Sequence, residues 1–278
     1  MDINSLLQNN MPIDDFEGLS ANLIHQLLYH PFSGNSVVSL KNKIDETALD
    51  KIPLFRIVET YLQILQREKT IKLTPLGALP KKFVVEIYQK GFLPEYIIES
   101  GLYKLNHEND AISIRSARLT AEIAGIVKKV HGKVSLTKKG ETFLLPENRD
   151  AFFKLFFEKF TTKFNWGYND GYENEDLGRF GWAYSFFLLN KYGDEPKEGM
   201  FYAKLFYKAF PQLFELETRA GNDINLYCYI TRVINRFMYW FGFVELAPIE
   251  GNKMSLMGDN FYIKTPQVAA VFDFEKID

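Results

Sequence analysis

The stretch Ile71-Lys72-Leu73-Thr74-Pro75-Leu76-Gly77 alternates apolar and polar residues and then closes on Thr and Gly. Alternation of that kind is the period of a strand with one face buried. The phrase returns 63 residues later as Val134-Ser135-Leu136-Thr137-Lys138-Lys139-Gly140, with Leu, Thr and Gly in the same places and Val for Ile. Each copy follows a helical pattern. Ile57, Tyr61, Ile64 and Leu65 share one face before the first; Leu119, Ile123 and Ile126 share one face of a helix over 117–126 before the second. The second copy also completes a hairpin, because Val127-Lys128-Lys129-Val130 and a His131-Gly132 turn lead into Lys133–Thr137. Recurrence of helix, short strand, Thr and Gly predicts a duplicated supersecondary module.

Working outward, Ser20 is placed to cap a helix over 20–29 that Pro31 ends, and Ser33-Gly34-Asn35-Ser36 forms a loop. Residues 44–66 form two helical pieces, since Pro53 fits a first turn and not an interior. Pro80 opens another helix with Phe83, Val84 and Ile87 buried, and Gly91 stops it. After Pro146 the pattern changes. Phe152, Phe156, Phe160 and Phe164 recur every four residues, with Phe153, Leu155 and Phe157 beside them, and an element so apolar is a core helix. Further helices are predicted over 180–191, 199–210 and 224–241. The tail over 243–266 predicts a strand, a Gly251-Asn252 turn, and strands around 253–256 and 261–264, a candidate third hairpin in which Met257 stands where the phrase has Thr.

Helices followed by a small β-hairpin resemble winged-helix domains, the helix-turn-helix variants that carry a β wing. The phrases Leu73–Gly77 and Leu136–Gly140, with Leu79-Pro80-Lys81-Lys82 after the first, are similar to an uncharacterised module of bacterial plasmid-borne and mobile-element passenger proteins. The resemblance spans about residues 52 to 145. It implies a winged-helix-like fold and carries no activity with it. The expected architecture is mainly α: residues 1–145 as a helical region with tandem winged-helix-like units, and residues 146–278 as an aromatic-rich helical domain, with the boundary at 145–148.

Composition narrows the class. The 278 residues are 46% apolar, 15% aromatic and 24% charged, which excludes a disordered chain. A lone cysteine, Cys228, excludes a disulfide-stapled module and is placed as a small buried hydrophobe in a reducing cytoplasm. Met1-Asp2-Ile3-Asn4 lacks the basic start and apolar run of a secretory signal, and Arg232, Asn235, Arg236 and Glu245 interrupt the most apolar stretch, 227–246, so no membrane span is predicted.

Net charge is only −2, but residues 67–140 carry 14 basic against 7 acidic side chains. A basic middle between acidic flanks can mark a polyanion partner, an acidic protein surface, or attraction between protomers of a homo-oligomer. The candidate phosphate contacts are Lys81, Lys82, Arg115, Arg118, Lys128, Lys129, Lys133, Lys138 and Lys139. Lysines on a hairpin also keep a strand edge soluble, and Arg118 and Glu122 stand four residues apart and partly neutralise one helix face. Ala121, Ala124 and Gly125 offer no base-edge readout.

Other chemistry finds little support. Asp170, Glu173, Glu175 and Asp176 lack the alternate spacing of a calcium loop and are placed in a solvated linker. His25, His30, His107 and His131 form no zinc pattern. Nucleophile elbow, dinucleotide fingerprint and phosphate loop are all missing, so no cofactor is expected. The expectation is a non-catalytic, cytoplasmic binding or adaptor protein that meets nucleic acid by charge. The alternatives are a protein–protein module with degenerate wings and, third, an enzyme whose site the sequence does not reveal.

Overall fold

The computed structural model describes residues 9–34, 36–168, 170–173, 177–213, 223–247 and 260–275. Helix dominates, and the chain divides into two compact units: Lys43–Phe164 with Trp240–Gly242, and Met1–Asn42 with Asn165–Tyr239 and Phe243–Asp278. The boundary expected at 145–148 falls inside the first unit. The Phe-rich helix Arg149–Thr162 belongs there because its rings pack on that unit's core. Phe55 lies 4.9 Å from Phe152 and meets Phe153 edge-on at 5.3 Å, while Phe241 meets Phe157 and Phe160 edge-on at 5.3 and 5.1 Å. Edge-to-face contact sets the positive ring edge against the negative ring face, a preferred aromatic geometry.

Helix Pro53–Glu68 runs through the core of this unit. Pro53 takes a first-turn position, where its missing N–H costs nothing, and Leu54, Phe55, Ile57, Val58, Tyr61, Leu62, Ile64 and Leu65 are buried. Arg149 at the head of the Phe-rich helix ties it to this core. Its guanidinium donates to Glu59 at 2.6 Å, Glu46 at 2.6 Å and Asp50 at 2.7 Å. Replacing Arg149 with methionine leaves Glu59 half-buried without its main donor and is expected to cost about 2 kcal/mol in urea unfolding.

The two similar phrases are not two modules. Ile71–Lys72 pairs antiparallel with Lys133–Leu136, which pairs with Val127–Val130, giving one three-stranded sheet. Ile71 faces Val134 and Lys72 faces Lys133, so the apparent copies are neighbours in a single ribbon. Their shared letters do different work. Gly77 sits at φ +75° in a turn where Thr74 Oγ1 accepts from the Ala78 N–H at 3.1 Å. Thr137 instead caps helix Lys138–Phe143, accepting from the Gly140 N–H at 3.1 Å. Gly140 is required by space, since a Cβ there would stand 2.2 Å from the Ile126 carbonyl oxygen. Tandem units are thereby replaced by one body of helix, strand, helices Lys81–Tyr88 and Ile112–Ile123 with the short helix Tyr96–Glu99 between them, and hairpin.

The helix before the hairpin also differs from expectation. It spans Ile112–Ile123, and its buried face is Ser113, Ile114, Ser116, Ala117, Arg118, Thr120 and Ala121. Of the expected stripe, Ile126, just past the helix, is buried, whereas Leu119 is half-buried and Ile123 exposed.

In the second unit, Ser20 accepts from the Leu23 N–H at 3.4 Å and caps helix Ala21–Tyr29 as expected. Helices Trp182–Tyr192 and Gly199–Ala209 follow, and Asp223–Tyr229 continues into a π-helical stretch, Ile230–Met238. Phe186 gathers Phe243 and Phe272 at 4.9 and 4.5 Å. Strand Phe261–Lys264 lies between Lys197–Glu198 and Val244–Leu246. The expected strand over 253–256 and its Gly251-Asn252 turn lie outside the described residues. Among those described, no helix is long and apolar enough to cross a membrane.

Candidate functional site

Strand register decides which lysines share a surface. Directly opposite residues lie on one side of a sheet, so Lys72, Lys133 and Val130 form one row and Lys128 joins them with Ser135 in the next. All of these except half-buried Ser135 are exposed, whereas Ile71, Val127 and Val134 on the other side are buried. Lys129 starts on the inner side, is itself exposed, and brings its Nζ within 3.3 Å of the position a Gly77 Cβ would take, over the Thr74–Gly77 turn. Between residues 124 and 140 there are five lysines and no carboxylate.

Soluble-edge protection accounts for Lys128 and Lys129, which sit on an outer strand. It does not account for Lys133. That residue lies on the central strand directly opposite Lys72, and like charges in that position destabilise a sheet. No ion-pair partner stands beside Lys72, Lys128, Lys129 or Lys133 among the described residues.

The other candidates scatter. Lys138 and Lys139 are exposed in the first turn of helix Lys138–Phe143, and Lys139 Nζ donates to the Ala124 carbonyl at 3.3 Å. Lys81 Nζ donates to Asn106 Oδ1 at 3.0 Å, and Lys82 lies 4.4 Å over the Phe83 ring. Arg115 is half-buried and bonds Asn109.

Arg118 is a correction. It is 3% exposed and clamps Glu108, which is 0% exposed, through Nε at 2.5 Å and Nη2 at 2.9 Å, with Glu122 taking its Nη1. Burial pulls its pKa down, but the hydrogen bond and charge of Glu108 more than offset that and hold it above the ordinary arginine value. A residue so enclosed reaches no phosphate. Lys72, absent from the expected contacts, instead joins the exposed lysine row; its signal was the alternation of the first phrase, which becomes legible as a surface only once the two phrases pair.

Asp170 is not in a solvated linker: its side chain is 5% exposed and receives Arg232 at 2.8 Å and Arg236 at 3.2 Å. Glu173 is exposed, and Glu175 and Asp176 lie outside the described residues. The four histidines are exposed, and burial pushes the Cys228 thiol up to about 12, leaving it protonated at neutral pH.

Residues 50–169 match the family model of the Y4jL N-terminal domain. The matched stretch is a little under half of the chain and falls almost wholly on the Lys43–Phe164 unit, passing the resembling stretch near residue 145 to include the Phe-rich helix. Comparison with curated proteins and with solved structures finds no match.

Proposed function

We propose that the Lys43–Phe164 unit is a single winged-helix-like body and that the protein is a non-catalytic, cytoplasmic binding protein contacting a nucleic-acid backbone through its three-stranded sheet. Lys72, Lys128 and Lys133 would meet phosphates from the outward face, with Lys129, Lys138 and Lys139 at its margins. The order helix, strand, helix, helix, hairpin, interrupted only by short helical turns that include Tyr96–Glu99, supports the winged-helix reading, as does the placing of the hairpin's second strand at the centre. The carrying observation is the unneutralised Lys72–Lys133 pair.

Helix Ile112–Ile123 argues against base reading, because a helix buried along most of its length enters no groove. Binding should therefore be charge-driven, salt-sensitive and indifferent to sequence. Fluorescence anisotropy with duplex DNA and RNA at two salt concentrations tests this. Changing Lys72, Lys128 and Lys133 together to Glu is expected to abolish binding; changing them to Gln should flatten the log–log salt slope by about 0.9 for each phosphate left without its lysine. No binding at low salt, or the same slope in the variants, overturns the reading.

A protein–protein role is favoured by a different observation. Tyr96, Ile97, Leu102 and Tyr103 are all exposed within a few residues, an apolar density that single scattered surface residues do not produce. Solution mass and pull-down against an acidic partner separate that reading from the first.

A further inference from the structure

At one end of the lysine-bearing sheet the chain leaving its first strand meets the tip of the hairpin. The Leu73 N–H donates to the Gly132 carbonyl at 2.8 Å, and the chain turns there, the Gly77 N–H closing on the Thr74 carbonyl at 2.8 Å. Lys129 Nζ lies over that turn, while Lys72 and Lys133 face each other just behind the tip. All three lysines are exposed.

Two aliphatic side chains stand forward among these cations. Leu76, in the turn, is 94% exposed, and Val130, the last residue before the His131-Gly132 tip, is 53% exposed. Single exposed leucines are common on protein surfaces. Here two aliphatic tips share one end of a sheet with three cations, and both are fixed to the body. Leu73 and Val134 are buried beneath them, and the Ala78 N–H donates to Thr74 Oγ1 at 3.1 Å. A tip held in this way loses little freedom on binding.

That arrangement suits a wedge: lysines hold phosphates while an aliphatic side chain enters the base stack from outside. Proteins that use such wedges push Leu, Ile, Phe, Met or Pro between base steps and unstack them. In a regular duplex the cost of unstacking is comparable to what burying one leucine returns, so little is gained. Where the stack is already broken the cost is absent and the burial remains. Residues 70–80 and 126–137 contain no Phe, Tyr or Trp, the platforms on which single strands stack, so the duplex form is favoured.

We propose that Leu76, with Val130 beside it, is a wedge that makes this sheet prefer a duplex with a broken stack over a regular one. The proposal rests on the nucleic-acid reading of the lysine face and names the substrate class within it.

Fluorescence anisotropy of the full chain tests it, comparing a regular DNA duplex with the same duplex carrying one unpaired adenine, at two salt concentrations. The bulged duplex is expected to bind about tenfold tighter, a difference of about 1.4 kcal/mol. Leu76→Ser combined with Val130→Thr should remove that preference. Affinity for the regular duplex and the salt slope should stay, because every lysine is kept. Both side chains are exposed, so the variant keeps the fold. Equal affinity for the two duplexes, or a preference that survives in the double variant, overturns the wedge and leaves the lysine contacts standing. Failure to bind either duplex at low salt overturns the reading beneath it as well. Binding to anionic lipid vesicles that the double variant loses, with no preference between duplexes, would assign the tips to a membrane surface and overturn the wedge.

Discussion

Replacing Arg118 with methionine is expected to lower the unfolding free energy of the Lys43–Phe164 unit by about 3–5 kcal/mol, a large share of a typical domain's stability. Glu108 is completely buried, and Arg118 satisfies both of its oxygens. Glu108 Oε2 also accepts from the Leu79 N–H at 3.0 Å, and Arg118 Nη2 reaches the Gly77 carbonyl at 3.4 Å. The pair therefore fastens the turn after the first strand to helix Ile112–Ile123. Removing the guanidinium leaves a dehydrated carboxylate, whose cost exceeds the modest net worth of the pair itself. Urea unfolding gives the number, and Arg118→Met combined with Glu108→Gln should recover much of the loss, because glutamine is neutral yet keeps an acceptor for Leu79. A single-variant loss below about 1 kcal/mol, the size of a surface pair, would show that this ion pair is not buried as described.

Asp170→Leu should cost about as much in the other unit, again about 3–5 kcal/mol. Its carboxylate receives Arg232 Nε and Nη2, each at 2.8 Å, and Arg236 Nη1 at 3.2 Å. Arg232 is 0% exposed, its Nη1 and Nη2 donating to the Leu177 and Tyr172 carbonyls at 3.2 Å. Without Asp170 two guanidinium charges face each other in a poorly solvated site. Asp170→Asn should cost less than Asp170→Leu because an amide oxygen still accepts. Trp166, buried 4.7 Å from Phe237 in the same unit, gives a fluorescence signal for the unfolding transition. Equal losses for Leu and Asn would make the contribution one of packing and not of charge.

Both sites show where sequence reading fails and why. Arg118 and Asp170 look like solvent-facing residues because charged side chains are rarely buried alone. Asp170 and Arg232 are buried together from 62 residues apart, and Arg118 is buried because the chain folds Glu108, ten residues before it, back onto its helix. The stripe on Ile112–Ile123 misleads for a related reason. Two serines, a threonine and an arginine sit on its inner face, with Thr120 Oγ1 donating to the Ser116 carbonyl at 2.8 Å, so a count of large apolar residues picks the wrong side. Periodicity succeeds where burial rests on apolar residues alone, as in Pro53–Glu68 and the Phe-rich helix. The hairpin lysines are legible as exposed. Their company with Lys72 is not, because strand pairing over a long loop leaves no mark in local periodicity.

By itself the chain determined its helices, its hairpin, the cap at Ser20 and the turn at His131-Gly132, all of them set by contacts within a few residues. Tertiary structure alone decided that two look-alike strands are partners, that the Phe-rich helix joins residues 43–164, and which charges face water. Those outcomes depend on which distant surfaces exclude solvent together, and the free energy of burying an ion such as Asp170 depends on a partner 62 residues away, outside any local window.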